Sequence, residues 1–132
     1  MCIRSISILL MAITLAACTT GKLYYTTEAG DRKIGCKTEF VGLPKVDKYA
    51  VEYVLSLCAH KATKNGHYLD VKQEYLLDID TSIPTPACNT TWDHKSAEKA
   101  YQDGKLSDKE YGYIVAHIDL GLAKLADCSN NR

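Results

Sequence analysis

The sequence predicts an α+β domain: a small antiparallel three-stranded sheet with one packed helix, followed by a disulfide-clipped αα-hairpin. Three patterns predict it. Residues 33–40 alternate with period two, residues 47–65 repeat apolar side chains at helical spacing, and residues 107–110, Ser-Asp-Lys-Glu, form a capping box ahead of a second helical repeat.

In chain order, residues 23–27 (LYYTT) are aromatic and β-branched, and residues 28–32 (EAGDR) supply a turn. Residues 33–40 then place Ile34, Cys36, Thr38 and Phe40 on one face, with Lys33, Lys37 and Glu39 on the other. One charged face on a period-two segment predicts a half-buried antiparallel strand, so the pair reads as a hairpin with Cys36 on its apolar side. Gly42-Leu43-Pro44 interrupts it. Asp47 is then placed to cap a helix that Gly66 ends, with Ala50, Val54, Leu57 and Cys58 in its apolar stripe and Val51 and Leu55 broadening it. A helix laid on the apolar face of the hairpin brings Cys36 and Cys58 into one layer. The alternation of Val71, Gln73, Tyr75, Leu77 and Ile79 predicts a third strand over residues 71–79, with a helix as the alternative because Leu76 is also apolar. Residues 80–91 form a Pro- and Thr-rich connector.

The C-terminal third reads as two helices. Asp93 caps a short one that runs to Gln102 and stops at Gly104. Ser107 caps the next, whose predicted face is Tyr111, Val115, Ile118, Leu122 and Leu125, with Gly112 and Gly121 inside it. An interior glycine costs a helix about 1 kcal/mol relative to alanine, so close packing is expected there. Folding the two helices into a hairpin brings Cys88, just before the first, near Cys128, just after the second.

The chain has 132 residues and six cysteines, with Lys and Arg numbering 16 and Asp and Glu also 16. Near-neutral charge without a basic patch argues against a nucleic-acid partner. Cys36, Cys58, Cys88 and Cys128 are widely spaced, with no C-x-x-C pair, which disfavours zinc or thioredoxin-like redox chemistry and favours two disulfides. The pairings expected are Cys36–Cys58 and Cys88–Cys128.

The N-terminus decides the compartment. Arg4 precedes an uncharged apolar stretch, residues 5–17, which as a helix spans only ~20 Å against a ~30 Å bilayer core. That fits the apolar region of an export signal. Leu15-Ala16-Ala17-Cys18 resembles the lipobox of bacterial lipoproteins. The resemblance implies cleavage before Cys18 and acylation of that residue, so that the bilayer is a partner through the lipidated Cys18. Thr19 follows where lipoproteins of the inner membrane commonly carry Asp, which implies the outer membrane, facing the periplasm. The expected organisation is residues 1–17 as a lipoprotein signal peptide, 18–22 as the lipidated N-terminus and a short tether, 23–128 as one α+β domain, and 129–132 as a tail.

Catalytic signals are weak throughout. Residues 99–110 partly resemble an EF-hand calcium loop, with Asp103, Gly104, Ser107 and Glu110 in place, but Lys99 and Tyr101 stand where the first and third ligands belong. The segment Gly104-Lys105-Leu106-Ser107 onward also resembles the turn of SHOCT-type C-terminal helical hairpins, which implies self-association. His60, His67, His94 and His117 lack H-x₃-H or HExxH spacing. Asp78 and Asp80 share a face without a recognisable acid–base partner, and no G-x-S-x-G or phosphate loop occurs. Tyr24, Tyr25 and Tyr113 are candidates for a contact surface. The expectation is therefore a membrane-anchored envelope protein that binds an envelope protein partner, as an adaptor, inhibitor or immunity factor, with no cofactor, metal or catalytic residue. The alternative is a periplasmic metal- or histidine-dependent enzyme.

Overall fold

The computed structural model describes residues 17–129. Residues 1–16 and 130–132, which hold most of the expected signal peptide and of the expected tail, lie outside the described residues. The chain is an α+β domain with a three-stranded antiparallel sheet in the order β2-β1-β3.

Strand β1, Cys18–Thr26, and strand β2, Arg32–Val41, form the hairpin. Its register runs from Cys18 opposite Val41 to Thr26 opposite Arg32, with a shift between Leu23 and Tyr24. At that shift Leu23 faces Cys36 while Tyr24 faces Ile34, so Gly35 is the extra residue of a bulge. Residues 18–22, expected as a tether, are instead the first half of β1, paired to residues 37–41. The segment has too few apolar residues to announce a strand, and its partner strand supplies the ladder that its composition does not.

Helix α1, Pro44–Lys64, crosses the sheet. It begins earlier than an Asp47 cap would place it. Pro44 occupies the first turn, where its missing N–H is one of the donors left unpaired anyway, and Asp47 lies inside that turn as an acidic residue near the helix N-terminus. Two apolar layers meet on α1. Leu23, Val51, Leu55, Ala59, Ala62 and Leu76 pack between α1 and the sheet, with Cys36 and Cys58 beside them. On its other side Ala50, Tyr53 and Val54 pack on Tyr113 and Ala116. The broad stripe seen in the sequence is a helix buried on two sides.

Strand β3 is Tyr68–Leu69, pairing with Thr26 and Tyr25 of β1, and residues Val71–Leu77 form a 3-10 helix. The third strand thus exists, but before the segment predicted for it. Gln73 explains the difference. The Tyr24 N–H donates to Gln73 Oε1 at 2.8 Å, and Gln73 Nε2 donates to the Lys22 carbonyl at 2.7 Å. One side-chain amide therefore satisfies the edge of β1 as a peptide unit of a third strand would have done. Leu76 is fully buried, and the Ser56 hydroxyl donates to its carbonyl at 2.8 Å, which docks the 3-10 turn on α1.

Helix α2, His94–Gln102, and helix α3, Asp108–Asp119, form the predicted αα-hairpin. Asp93 and Ser107 cap them, each in a reciprocal capping box. Ala97, Leu106 and Ile114 make the core between the two helices. Helix α3 stops before Gly121, whose φ of 70° is the left-handed conformation that glycine adopts without a Cβ penalty. The Gly121 and Leu122 N–H groups bond back to Ile118 and His117, closing the helix end. Leu122 and Leu125 therefore lie outside the helix and are 38% and 66% exposed, whereas Gly112, Tyr113, Ile114 and Ala116 are buried. The predicted face was rotated because α3 packs on two helices at once. Gly112 marks the close approach: a Cβ there would lie 2.6 Å from the Val46 carbonyl oxygen. Beyond α3 the chain runs back, and Asn89 and Thr90 exchange backbone bonds with Ala126.

The disulfides join Cys36 to Cys58 and Cys88 to Cys128, with Cα–Cα distances of 6.4 and 5.6 Å. The first pins β2 to the middle of α1. The second closes the base of the αα-hairpin.

Candidate functional site

The end of β2, the first turn of α1 and the facing sides of α2 and α3 enclose a cleft of about 450 Å³. Its apolar wall is built from Phe40, Val41, Leu43, Val46 and Val115. Its polar groups are Glu39, Asp47, His94, Glu98, Tyr111 and Asp119, and among the described residues neither lysine nor arginine lines it.

Each polar group has a local cause. His94 and Glu98 lie one turn apart on α2, which aligns them on one side of that helix. His94 Nε2 lies 2.8 Å from Asp119 Oδ1, so this pair bridges α2 and α3 across the cleft. The Tyr111 ring stacks on Tyr101 with centroids 4.5 Å apart, and the Tyr101 hydroxyl donates to Asp108 at 2.7 Å. Burial pushes the Tyr111 phenol upward, and the carboxylates of Glu98 and Asp47 add to it. Lys45, which precedes the lining residue Val46, is engaged elsewhere, 3.3 Å from Asp108.

Asp47 is the group out of balance. It is only 7% exposed, and its Oδ2 has no hydrogen-bond partner. Burial raises its pKa above the usual carboxylate value, while the Gly42 backbone N–H pulls the other way. A carboxyl whose pKa is raised on folding binds its proton more tightly in the native state, so its charge destabilises the fold above the folded pKa. That destabilisation is relieved as the pH falls through the folded pKa towards the unfolded value of about 3.9. Asp47→Asn is accordingly expected to melt higher than the native chain at neutral pH, with the gap narrowing on acidification. Thermal melts across that pH range check it, and a variant that is less stable at neutral pH and gains nothing in acid would contradict the burial argument.

Cys18 stands at the neighbouring end of the sheet. It is exposed, pairs with Val41 across the hairpin, and among the described residues is the one cysteine outside a disulfide. A hydrogen bond with the Glu39 carboxylate raises its thiol pKa, which places Cys18 beside a lining residue of the cleft.

The other sequence candidates are separated. His60 is exposed on α1. His67 stacks on Tyr25 at 4.3 Å, and His117 Nδ1 shares a 2.8 Å hydrogen bond with the Tyr53 hydroxyl. Only His94 enters the cleft. In the EF-hand-like segment Asp103 pairs with Lys99 at 3.1 Å and the Glu110 carboxylate accepts from Ser107, so both carboxylates serve the local helix ends. Asp80 accepts the Ser82 N–H at 2.9 Å in a turn. Tyr24 and Tyr25 diverge, one under the Arg32 guanidinium and the other on His67. Tyr113 is 1% exposed, so it belongs to the core and offers no contact surface.

Asp47 was legible only as a helix cap. The signal that would have moved it into the helix is Pro44, whose fixed φ suits a first helical position. Nothing in the sequence brings α2 and α3 to the corner where the end of β2 meets the first turn of α1. No family model, curated protein or solved structure matches this chain.

Proposed function

We propose that this chain is a small envelope lipoprotein, cleaved before Cys18, acylated there, and acting by binding an envelope partner rather than by catalysis. It would face the periplasm from the inner leaflet of the outer membrane. The observation that carries the reading is Cys18 itself: a cysteine closing a lipobox-like sequence, exposed, and outside both disulfides. Several acyl chains make a stable anchor, since each buried CH₂ contributes about 0.8 kcal/mol. Among the described residues no helix is long and apolar enough to cross a membrane, so attachment of this part of the chain calls for another device. Because β1 begins at Cys18, acylation would hold the domain directly against the bilayer, with the cleft beside the anchor.

Cys18→Ser is expected to move the protein from the membrane to the soluble fraction and to remove the acyl mass from the intact chain. Persistent membrane attachment would overturn the reading. The binding part is tested by crosslinking in cells followed by mass spectrometry, where one specific envelope protein is the expected product and recovery of the lipoprotein alone is the contrary one.

A further inference from the structure

The cleft beside the anchor is unbalanced in charge. Glu39, Asp47, Glu98 and Asp119 contribute carboxylates, and His94, the single basic group there among the described residues, is already engaged by Asp119. Asp47, one of its lining residues, is 7% exposed and has a carboxylate oxygen that is buried and unpartnered. Buried charge is costly unless paired, and stable folds seldom keep such an orphan without a use for it. We propose that the cleft binds the cationic head of an extended aliphatic group, an alkylammonium or a guanidinium, with Asp47 as its ion-pair partner.

The geometry favours a cation on a stem over a compact metal ion. Among the described residues no three His, Cys, Asp or Glu side chains converge closely enough to hold an ion, whereas calcium requires six to eight oxygens in one shell. A stemmed cation needs no such convergence. Its head reaches Asp47 while its methylenes lie along Phe40, Val46 and Val115, as lysine and arginine side chains lie on apolar surface. A volume of about 450 Å³ is within the range of small-ligand sites, ~300–1,000 Å³. Charge-assisted hydrogen bonds to a carboxylate are about twice as strong as neutral ones, and the low exposure of Asp47 shields its bond from water. A lysine or arginine of a protein partner and a free polyamine both carry this chemistry. The inference rests on the binding role proposed above and states what the bound group presents.

The test uses the full chain, ¹⁵N-labelled and purified in detergent, titrated with Nα-acetyl-lysine amide, Nα-acetyl-arginine amide, spermidine and Nα-acetyl-norleucine amide. Saturable shifts of the Gly42, Asp47, Glu98 and Val115 amides are expected with the three cations. The norleucine compound, with a stem but no charge, is expected to give none. Asp47→Asn is expected to weaken binding about tenfold or more, the effect of losing one charged hydrogen bond. Asp103→Asn, whose carboxylate pairs with Lys99 outside the cleft, serves as the unchanged control. Because Asp47→Asn is expected to be the more stable protein, unfolding does not mimic that loss. Stronger binding of the amino-acid amides assigns the site to a partner's side chain, and stronger binding of spermidine assigns it to a free polyamine. Equal shifts from the norleucine compound, or unaltered cation binding by Asp47→Asn, would overturn the proposal. Should the crosslinked envelope partner be captured equally well by Asp47→Asn, the binding role stands and the assignment of the site to that partner's side chain falls.

Discussion

Replacing Cys36 and Cys58 together by alanine is expected to lower the stability of the domain by about 3.5 kcal/mol, and replacing Cys88 and Cys128 by about 4 kcal/mol. The ordering follows from the loops they close, with sequence separations of 22 and 40 residues, because a longer loop loses more chain entropy in the unfolded state when it is tied. Either loss is a large share of the ~5–15 kcal/mol that holds a small domain together. For a chain of this size it corresponds to a fall in melting temperature of roughly 10–20 °C. The two bridges differ in setting. Cys36 and Cys58 pack against the core between the sheet and α1, so their removal also loosens that layer. Cys88 and Cys128 tie an exposed connector to the segment after α3, where the main support is the backbone exchange of Asn89 and Thr90 with Ala126. Urea titrations of the two double variants, oxidised and without reductant, measure both losses. If the Cys36/Cys58 variant loses more than the Cys88/Cys128 variant, packing outweighs loop entropy. Losses below about 1 kcal/mol for both would mean that the unfolded chain is already compact.

Tyr113→Ala is expected to cost about 3–5 kcal/mol, as removal of a buried aromatic ring does. The ring is 1% exposed, lies 5.2 Å from the Tyr53 ring, and fills the contact of α1 with α3. Its hydroxyl donates to Glu52 on α1, and burial together with that carboxylate pushes the phenol well above its ordinary pKa, so it remains a donor. Tyr113→Phe keeps the ring and gives up only this bond, which is expected to cost about 1 kcal/mol because Glu52 is half-buried and regains water. The midpoints of urea unfolding for the two variants separate ring from hydroxyl. A phenylalanine variant as unstable as the alanine one would show that the hydrogen bond, not the packing, joins the helices. The same contact carries the cleft, since α3 supplies Tyr111, Val115 and Asp119 to its wall.

Local chemistry made much of the fold legible. The alternation of residues 36–40, the caps at Asp93 and Ser107, and the stop at Gly66 each rest on interactions within a few residues, and each appears where the sequence places it. Ile34, expected on the same face as Cys36, instead lies beyond the bulge at Gly35 and is 53% exposed. The pairing of the four domain cysteines was legible for a related reason: Cys36 and Cys58 lie on the apolar sides of their elements, and a short helical hairpin brings its ends together. The strand over residues 18–22 was not legible, because what makes it a strand is the ladder with residues 37–41. The 3-10 helix at Val71–Leu77 has the same origin. Its alternating pattern is genuine, but Gln73 fills the sheet edge with a side-chain amide, and only the position of β1 makes that bond available.

The sequence by itself determined the α+β class, the order of the main elements, the caps of α2 and α3 and the disulfide partners, because these depend on backbone propensity and on side-chain periodicity along the chain. The tertiary structure alone decided which face of α3 is buried and where the sheet's third strand lies. It also decided that Asp47, one residue of an ordinary first helical turn, ends with an unpartnered carboxylate oxygen in a cleft shared by β2, α1, α2 and α3. Burial and charge balance are properties of everything packed around a residue, and four elements far apart in the chain reach that corner only when the domain has folded.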